Sequence, residues 1–223
     1  MAMTIAFDLD DTLYKEKDFV ESGRNAVAEA IAAAKGLDAS TLRRVMAEGA
    51  DAFDALLGFL ATKGISDYTI AGVLDIYRSH KPDIRLDAEA EATLTELHRR
   101  GTDIALITDG RSVTQRNKIE ALGLYRFFAP DRIHISGETG ADKHTPLAYM
   151  NVANSAVAPR RLVYVGDNPA KDFVNANLAG WTTVMLRDSR RINVHQQNLR
   201  NVPSNYRPRI VIDRLTEILK LIH

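Results

Sequence analysis

The sequence predicts an α/β fold, a doubly wound parallel sheet carrying an inserted helical domain, and three observations support that reading. Five short runs rich in β-formers are almost continuously apolar, as strands covered on both faces are: TIAFDL (4–9), DIALIT (103–108), RIHIS (132–136), RLVYVG (161–166) and TTVML (182–186). Helix-length amphipathic segments lie between them, which is what a parallel crossover requires. One interval, 15–82, shows helical periodicity and no strand.

In chain order, the first strand ends where Asp8, Asp10 and Asp11 crowd three carboxylates into four positions. Apolar residues then recur at helical spacing: Phe19, Gly23, Val27, Ile31 and Ala34, next Leu42, Val45, Phe53, Leu56 and Leu60, and last Ile70, Val73, Leu74 and Tyr77. Gly36, Gly64 and Pro82 mark the seams. A βα connection is usually a few residues long, so 15–82 reads as a helical domain over the carboxyl edge of the sheet, with 1–14 and 83–223 as the α/β core. After the second strand a helix over 112–122 ends at Gly123. After the third, a helix over 145–155 follows Thr145-Pro146, and after the fourth a helix over 169–179 starts with Pro169 and stops before Gly180. Residues 187–208 are polar and read as a long loop that either folds over the site or stays on the surface. A short strand, IVI (210–212), and a final helix (214–222) follow, and no expectation rests on Met1-Ala2-Met3.

Composition narrows the function classes. Lys+Arg and Asp+Glu both number 29, which offers no basic surplus for nucleic acid and leaves a small molecule as the expected partner. The absence of cysteine excludes disulfide scaffolds, thiolate zinc sites and thiol nucleophiles. No apolar run approaches the roughly 18 residues of a membrane span, and the N-terminus lacks a signal-peptide pattern. The expectation is a soluble cytoplasmic protein of open oligomeric state.

In a doubly wound sheet, ligands bind at the carboxyl ends of the strands. That rule gathers Asp8 and Asp10 from the first strand, Thr108 from the second, Lys143 from just beyond the third, and Gly166-Asp167 with Asp172 after the fourth. Three or four carboxylates at one edge, with a single lysine among them, make a metal site. Hard oxygen ligands without nearby His or Cys favour Mg²⁺.

The stretches DLDDT (8–12), LITDG (106–110), Lys143 and VGDNPAKD (165–172), in this order and on these elements, resemble the four motifs of the haloacid dehalogenase (HAD) superfamily. The similarity runs from Ile5 to about Leu186 and is to the phosphatase branch with a small helical cap on a Rossmann-like core. Two departures stand out: His144-Thr145 separate Lys143 from Pro146, and Asp109 stands where Asn is frequent. The resemblance implies a Mg²⁺-dependent phosphatase acting on a small phosphorylated metabolite through an aspartyl-phosphate. It implies Asp8, the backbone carbonyl of Asp10, and Asp167 as metal ligands, with Asp172 either a ligand or its supporting partner. Asp8 is then the nucleophile and Asp10 the general acid and base, while Thr108 and Lys143 donate to the phosphoryl oxygens.

Around these, Thr12 is expected to orient Asp10 or the turn, or else to cap a helix. Asp11 reads as a solvated or turn-capping aspartate. Tyr14 and Lys15 lie where the chain enters the insertion and are candidates to face the site, and Arg111 is a substrate contact or a surface ion pair. His80 and His144 read as ordinary hydrogen-bonded histidines. A sugar phosphomutase of the same fold is the alternative enzyme. A phospho-acceptor signalling module is the alternative of another class, although such modules are about half this length and lack a helical insertion.

Overall fold

The structure, a computed structural model, describes residues 3–49, 51–155, 161–200 and 202–221; Met1-Ala2 and residue 222 of the expected final helix lie outside them. Strands β1 (Met3–Phe7), β2 (Asp103–Thr108), β3 (Ile133–Ile135), β4 (Arg161–Gly166), β5 (Thr182–Leu186) and β6 (Ile210–Ile212) form one sheet in the order β3-β2-β1-β4-β5-β6, all parallel. The order reverses between β1 and β4, which opens a crevice at their carboxyl ends. Phe7 pairs with Leu106 on one side and Val165 on the other, and Asp8 N–H still donates to Val165 O at 2.8 Å. The ladder therefore delivers Asp8 to the crevice beside Gly166-Asp167.

By internal packing the chain divides into two units: residues through Lys17 with those from Arg85 onward, and Asp18–Ile84. The second is built from α1 (Glu16–Lys35, which begins in the first unit), α2 (Ala39–Glu48), α3 (Ala52–Thr62) and α4 (Ile70–Ser79). Its core gathers Val27, Ala28, Ile31, Leu42, Met46, Leu56, Leu60 and Val73. Ala34, expected in that stripe, falls in the exposed last turn of α1, and Met46 is buried where Val45 is only partly so. The middle stretch is two helices, because Asp51 caps a new start by accepting from Phe53 N and Asp54 N. His80 is hydrogen-bonded as expected, to Tyr77 O and Ser22 Oγ.

In the first unit, α5 (Ala88–Arg99), α6 (Ser112–Ala121), α7 (Ser136–Thr139), α8 (Leu147–Asn154) and α9 (Val174–Leu178) complete the crossovers. A buried cluster places Tyr149 edge-on to both Tyr164 and Trp181, with ring centroids 5.1 and 5.8 Å apart, beside Ala6, Ile107, Phe173 and Met185. The helix expected from Pro169 starts only at Val174, because residues 167–172 turn around the Asp172 side chain instead of winding into a helix. The final segment Leu215–Leu221 is a 3₁₀-helix. No helix among the described residues is long and apolar enough to cross a membrane.

Two helical glycines have opposite surroundings. A Cβ on Gly23 lies 2.4 Å from the Tyr77 ring, which Phe19 and Phe53 hold edge-on at 5.5 and 5.4 Å, whereas one on Gly58 meets nothing within 4 Å. Helix propensity favours alanine over glycine by about 1 kcal/mol at either position, and overpacking costs about 1–3 kcal/mol. In urea denaturation Gly58→Ala is expected to stabilise the protein by up to about 1 kcal/mol and Gly23→Ala to destabilise it. A stabilised Gly23→Ala variant contradicts the packing described for Tyr77.

Candidate active site

Three buried carboxylates, Asp8, Asp167 and Asp172, place one oxygen each within 4.8 Å of one another. Asp8 follows β1 and Asp167 follows β4, so the switch point brings these two together. Lys143, with no exposed surface, sends its Nζ to 2.8 Å from Asp8 Oδ1 and 2.7 Å from Asp172 Oδ1. Asp172 is engaged on both oxygens: Oδ1 also accepts from the Tyr164 hydroxyl at 3.4 Å, and Oδ2 accepts from Asp167 N at 3.1 Å and Asn168 N at 2.8 Å.

The charge of this centre is unbalanced. Burial pushes the Asp8 carboxyl up to about 7 despite the opposing pull of Lys143, and burial with the nearby Asp172 and Asp8 pushes Asp167 up to about 9. Burial draws Lys143 down, but Asp172 and Asp8 outweigh it and hold the ammonium well above its usual range. One ammonium among three carboxylates leaves room for two more positive charges, and every donor is a hard oxygen. The residues present therefore fit a divalent cation such as Mg²⁺.

Asp10 belongs to a different set. Its Oδ1 accepts from Lys118 Nζ at 2.7 Å and from the Tyr14 hydroxyl, and its Oδ2 faces Gln115 Nε2 at 3.4 Å. Burial raises the Asp10 carboxyl, yet Lys118 with Tyr14 and Gln115 brings it below the ordinary carboxylate value. Gln115 and Lys118, i and i+3 on α6 and both buried, were not expected at the site, since in the sequence they look like solvated polar residues. Tyr14 is itself fully buried with its hydroxyl committed to Asp10.

Thr108 ends β2 with a buried Oγ1 that has no hydrogen-bond partner. A buried hydroxyl without a partner typically costs about 1–3 kcal/mol. Thr12 Oγ1 is likewise buried and unpartnered, so it neither caps a helix nor hydrogen-bonds Asp10. Asp109 accepts from Lys143 N at 3.1 Å through Oδ1, and the acid at this motif position thereby fixes the backbone that carries the lysine. Gly110 has φ 149°, and a Cβ there lies 2.6 Å from Gln115 Nε2, so only glycine serves. Arg111 is exposed as the residue preceding α6, and His144 is exposed.

Asp11, expected as a solvated or turn-capping aspartate, is buried. It sits in the left-handed region (φ 57°) and accepts from Glu16 N at 3.1 Å and Val194 N at 2.8 Å, so its capping role holds and its solvation does not. The second of those bonds shows that the long polar loop folds over the site: Asn193 Nδ2 donates to Asp167 Oδ2 at 2.8 Å.

Comparison with known proteins agrees with this geometry. Residues 2–180 match the family model of haloacid dehalogenase-like hydrolases. A glyceraldehyde 3-phosphate phosphatase of Methanopyrus kandleri is 30% identical over 99% of this chain and 100% of its own length. A phosphoserine phosphatase of Thermus thermophilus is 44% identical over 44% of this chain and 39% of its own length. Among solved structures, the HAD-hydrolase YfnB from Bacillus subtilis, bound to magnesium, superposes with a TM-score of 0.64 at 20% identity over 100% of this chain and 99% of its own.

The charge deficit has a thermodynamic signature. The raised Asp8 and Asp167 carboxyls keep protons in the folded state that the unfolded chain, at an ordinary 3.8, has released. The contribution of these two groups to the stability of the metal-stripped protein is therefore fully present below 3.8 and lost as pH rises through about 7 and about 9. The thermal midpoint of chelator-treated protein is expected to fall from pH 5 to pH 9 and added Mg²⁺ to suppress that fall. A midpoint insensitive to both refutes the assignment.

Proposed function

From the premise that the chain belongs to the haloacid dehalogenase-like hydrolases, as a phosphoric monoester hydrolase, we propose that it cleaves a small organic phosphate with Mg²⁺ through an aspartyl-phosphate on Asp8. The observation that carries this reading is the buried Lys143 ammonium beside Asp8, in a centre of carboxylates still short of positive charge. Asp8, Asp167 and the backbone carbonyl of Asp10 would hold the cation. Asp172 has donors on both oxygens already and serves to orient Lys143 and the 167–168 backbone. When bound, the cation offsets the repulsion between substrate dianion and Asp8.

Each step then falls to a named group. An Asp8 carboxylate oxygen attacks phosphorus as the ester P–O bond breaks, and Asp10, which must first take up a proton from a substrate monoanion or from water because Lys118 holds it below the ordinary carboxylate value, gives that proton to the departing oxygen. Water next attacks the phosphorus of the acyl phosphate, Asp10 takes its proton, and phosphate leaves with Asp8 regenerated. Lys143 and the Thr108 hydroxyl donate to the phosphoryl oxygens as charge builds on them, which gives the unpartnered Oγ1 its acceptor. Lys118, Tyr14 and Gln115 hold Asp10 apart from the acidic trio.

The relative aligned along its whole length acts on glyceraldehyde 3-phosphate, which makes a three-carbon phosphate the first substrate to try. The helical unit Asp18–Ile84 is the proposed cap, selecting which phosphate is admitted. The named relatives are phosphatases, which favours hydrolysis over phosphoryl transfer to a second hydroxyl.

Turnover is expected to vanish on chelation and return with Mg²⁺; full activity after exhaustive metal removal excludes the proposed centre. Asp8→Asn is expected to abolish both turnover and phosphoenzyme. Asp10→Asn, tested with an aryl phosphate whose leaving group needs little protonation, is expected to slow turnover by about 10²–10⁴ and to accumulate label on the peptide containing Asp8. Wild-type turnover by Asp10→Asn, or label on another residue, overturns the division of labour.

A further inference from the structure

The polar loop after β5 is tied to the acidic centre at several points. Asn193, 5% exposed, donates from Nδ2 to Asp167 Oδ2 at 2.8 Å and accepts at Oδ1 from Lys15 Nζ at 3.1 Å. An ammonium can only donate, so the amide oxygen must face Lys15 and the amide nitrogen must face Asp167. The backbone around Asn193 is anchored as well. Asn193 N donates to Asp188 Oδ2 at 2.7 Å, and Val194 N donates to Asp11 Oδ2 at 2.8 Å. Gln197 closes the loop: Nε2 donates to Asp167 O and Leu186 O, each at 2.8 Å, and Oε1 accepts from Asp188 N at 2.7 Å. One side chain of the loop thus holds the Asp167 carboxylate, and another holds its carbonyl.

Resting on the reading of Asp167 as a cation ligand, we propose that Asn193, carried by the strap Asp188–Gln197, is a positioning residue that aims the Asp167 carboxylate and sets the affinity of the centre for Mg²⁺. The chemistry of the donor supports this role. A neutral amide fixes one carboxylate oxygen while leaving the negative charge available, whereas a lysine or arginine at the same place competes with the cation for that charge. The strap lies beyond residues 2–180, the stretch that the family model matches. Hydrogen bonds from Asn193 N to Asp188 and from Val194 N to Asp11 fix the strap around Asn193, which holds its side chain in place against Asp167.

The proposal is tested by Mg²⁺ binding, measured by calorimetry on full-length, chelator-stripped protein, with circular dichroism as the check on folding. Partners of metal ligands typically contribute 10–100-fold to metal affinity, so Asn193→Ala is expected to bind Mg²⁺ about 10–100-fold more weakly. Its kcat at saturating Mg²⁺ is expected to return to within a few-fold of wild type. His195→Ala, an exposed change on the same strap, is expected to bind as wild type does. An Asn193→Ala variant that folds and binds Mg²⁺ within twofold of wild type overturns the proposal, as does equal weakening in His195→Ala. Should Asn193→Ala fail to fold, Lys15→Met decides: it removes the donor that sets the amide's orientation, and unchanged Mg²⁺ affinity in that variant is equally fatal. Absence of Mg²⁺ binding by the wild-type protein is a separate result and refutes the metal reading itself.

Discussion

The Lys143 ammonium is the contact on which the rest of the site depends. A charge with no exposed surface is tolerated only when paired and hydrogen-bonded, and Asp8 and Asp172 meet that condition from two different strand ends. The lysine's backbone is held by side chains on both sides: Asp109 accepts from its N–H and Asn175 donates to its carbonyl at 3.0 Å. One residue thereby joins the connections that follow β1, β2 and β4. Breaking a buried pair of this kind typically costs about 3–5 kcal/mol, since the partner is left as an uncompensated charge. Within the site Asp172 is consequently as much a part of the lysine's support as of the acidic group.

The parts of the fold set by local chemistry were legible in the sequence. Strands β2, β4, β5 and β6 coincide with the apolar runs that announced them, because a strand buried on both faces has little freedom to be polar. Asp8, Thr108, Lys143 and Asp167 were legible because each lies at or just beyond the end of such a run. What escaped was decided by partners distant in sequence. Asn193 and Lys118 look like solvated polar residues until the topology brings them to Asp167 and Asp10, 26 and 108 positions away. The helix placed at Pro169 failed for a related reason. Local punctuation favoured a start there, but Asp167 N and Asn168 N are claimed by the Asp172 carboxylate, which imposes a turn first.

Function is also visible in what the fold leaves unsatisfied. The buried hydroxyls of Thr12 and Thr108 have no partner, and the one Lys143 ammonium leaves the three carboxylates of the centre short of positive charge. Each is unfavourable for an isolated chain, with an orphaned hydroxyl alone costing about 1–3 kcal/mol. Such costs persist where the surrounding structure over-determines the geometry. Here the parallel sheet and the Tyr149–Tyr164–Trp181 cluster do so, fixing the strand ends whatever the charges require. The excess of acid is what the proposed cation and phosphoryl group would offset.

The two aspartates of DLD, only two positions apart, end in unlike environments because the chain bends sharply after them. Thr12 N and Leu13 N both turn back to Leu9 O, and Asp11 adopts the left-handed conformation. That turn separates the carboxylates of Asp8 and Asp10 and gives each its own lysine. Asp8 must share Lys143 with Asp172 and remains short of positive charge, whereas Asp10 has Lys118 together with the Tyr14 hydroxyl. Two chemically identical side chains thus acquire different protonation behaviour: burial outweighs Lys143 and raises Asp8, whereas Lys118, Tyr14 and Gln115 outweigh burial and lower Asp10. The division of labour proposed for the pair therefore requires both shifts to be offset when substrate binds, Asp8 by added positive charge and Asp10 by uptake of a proton.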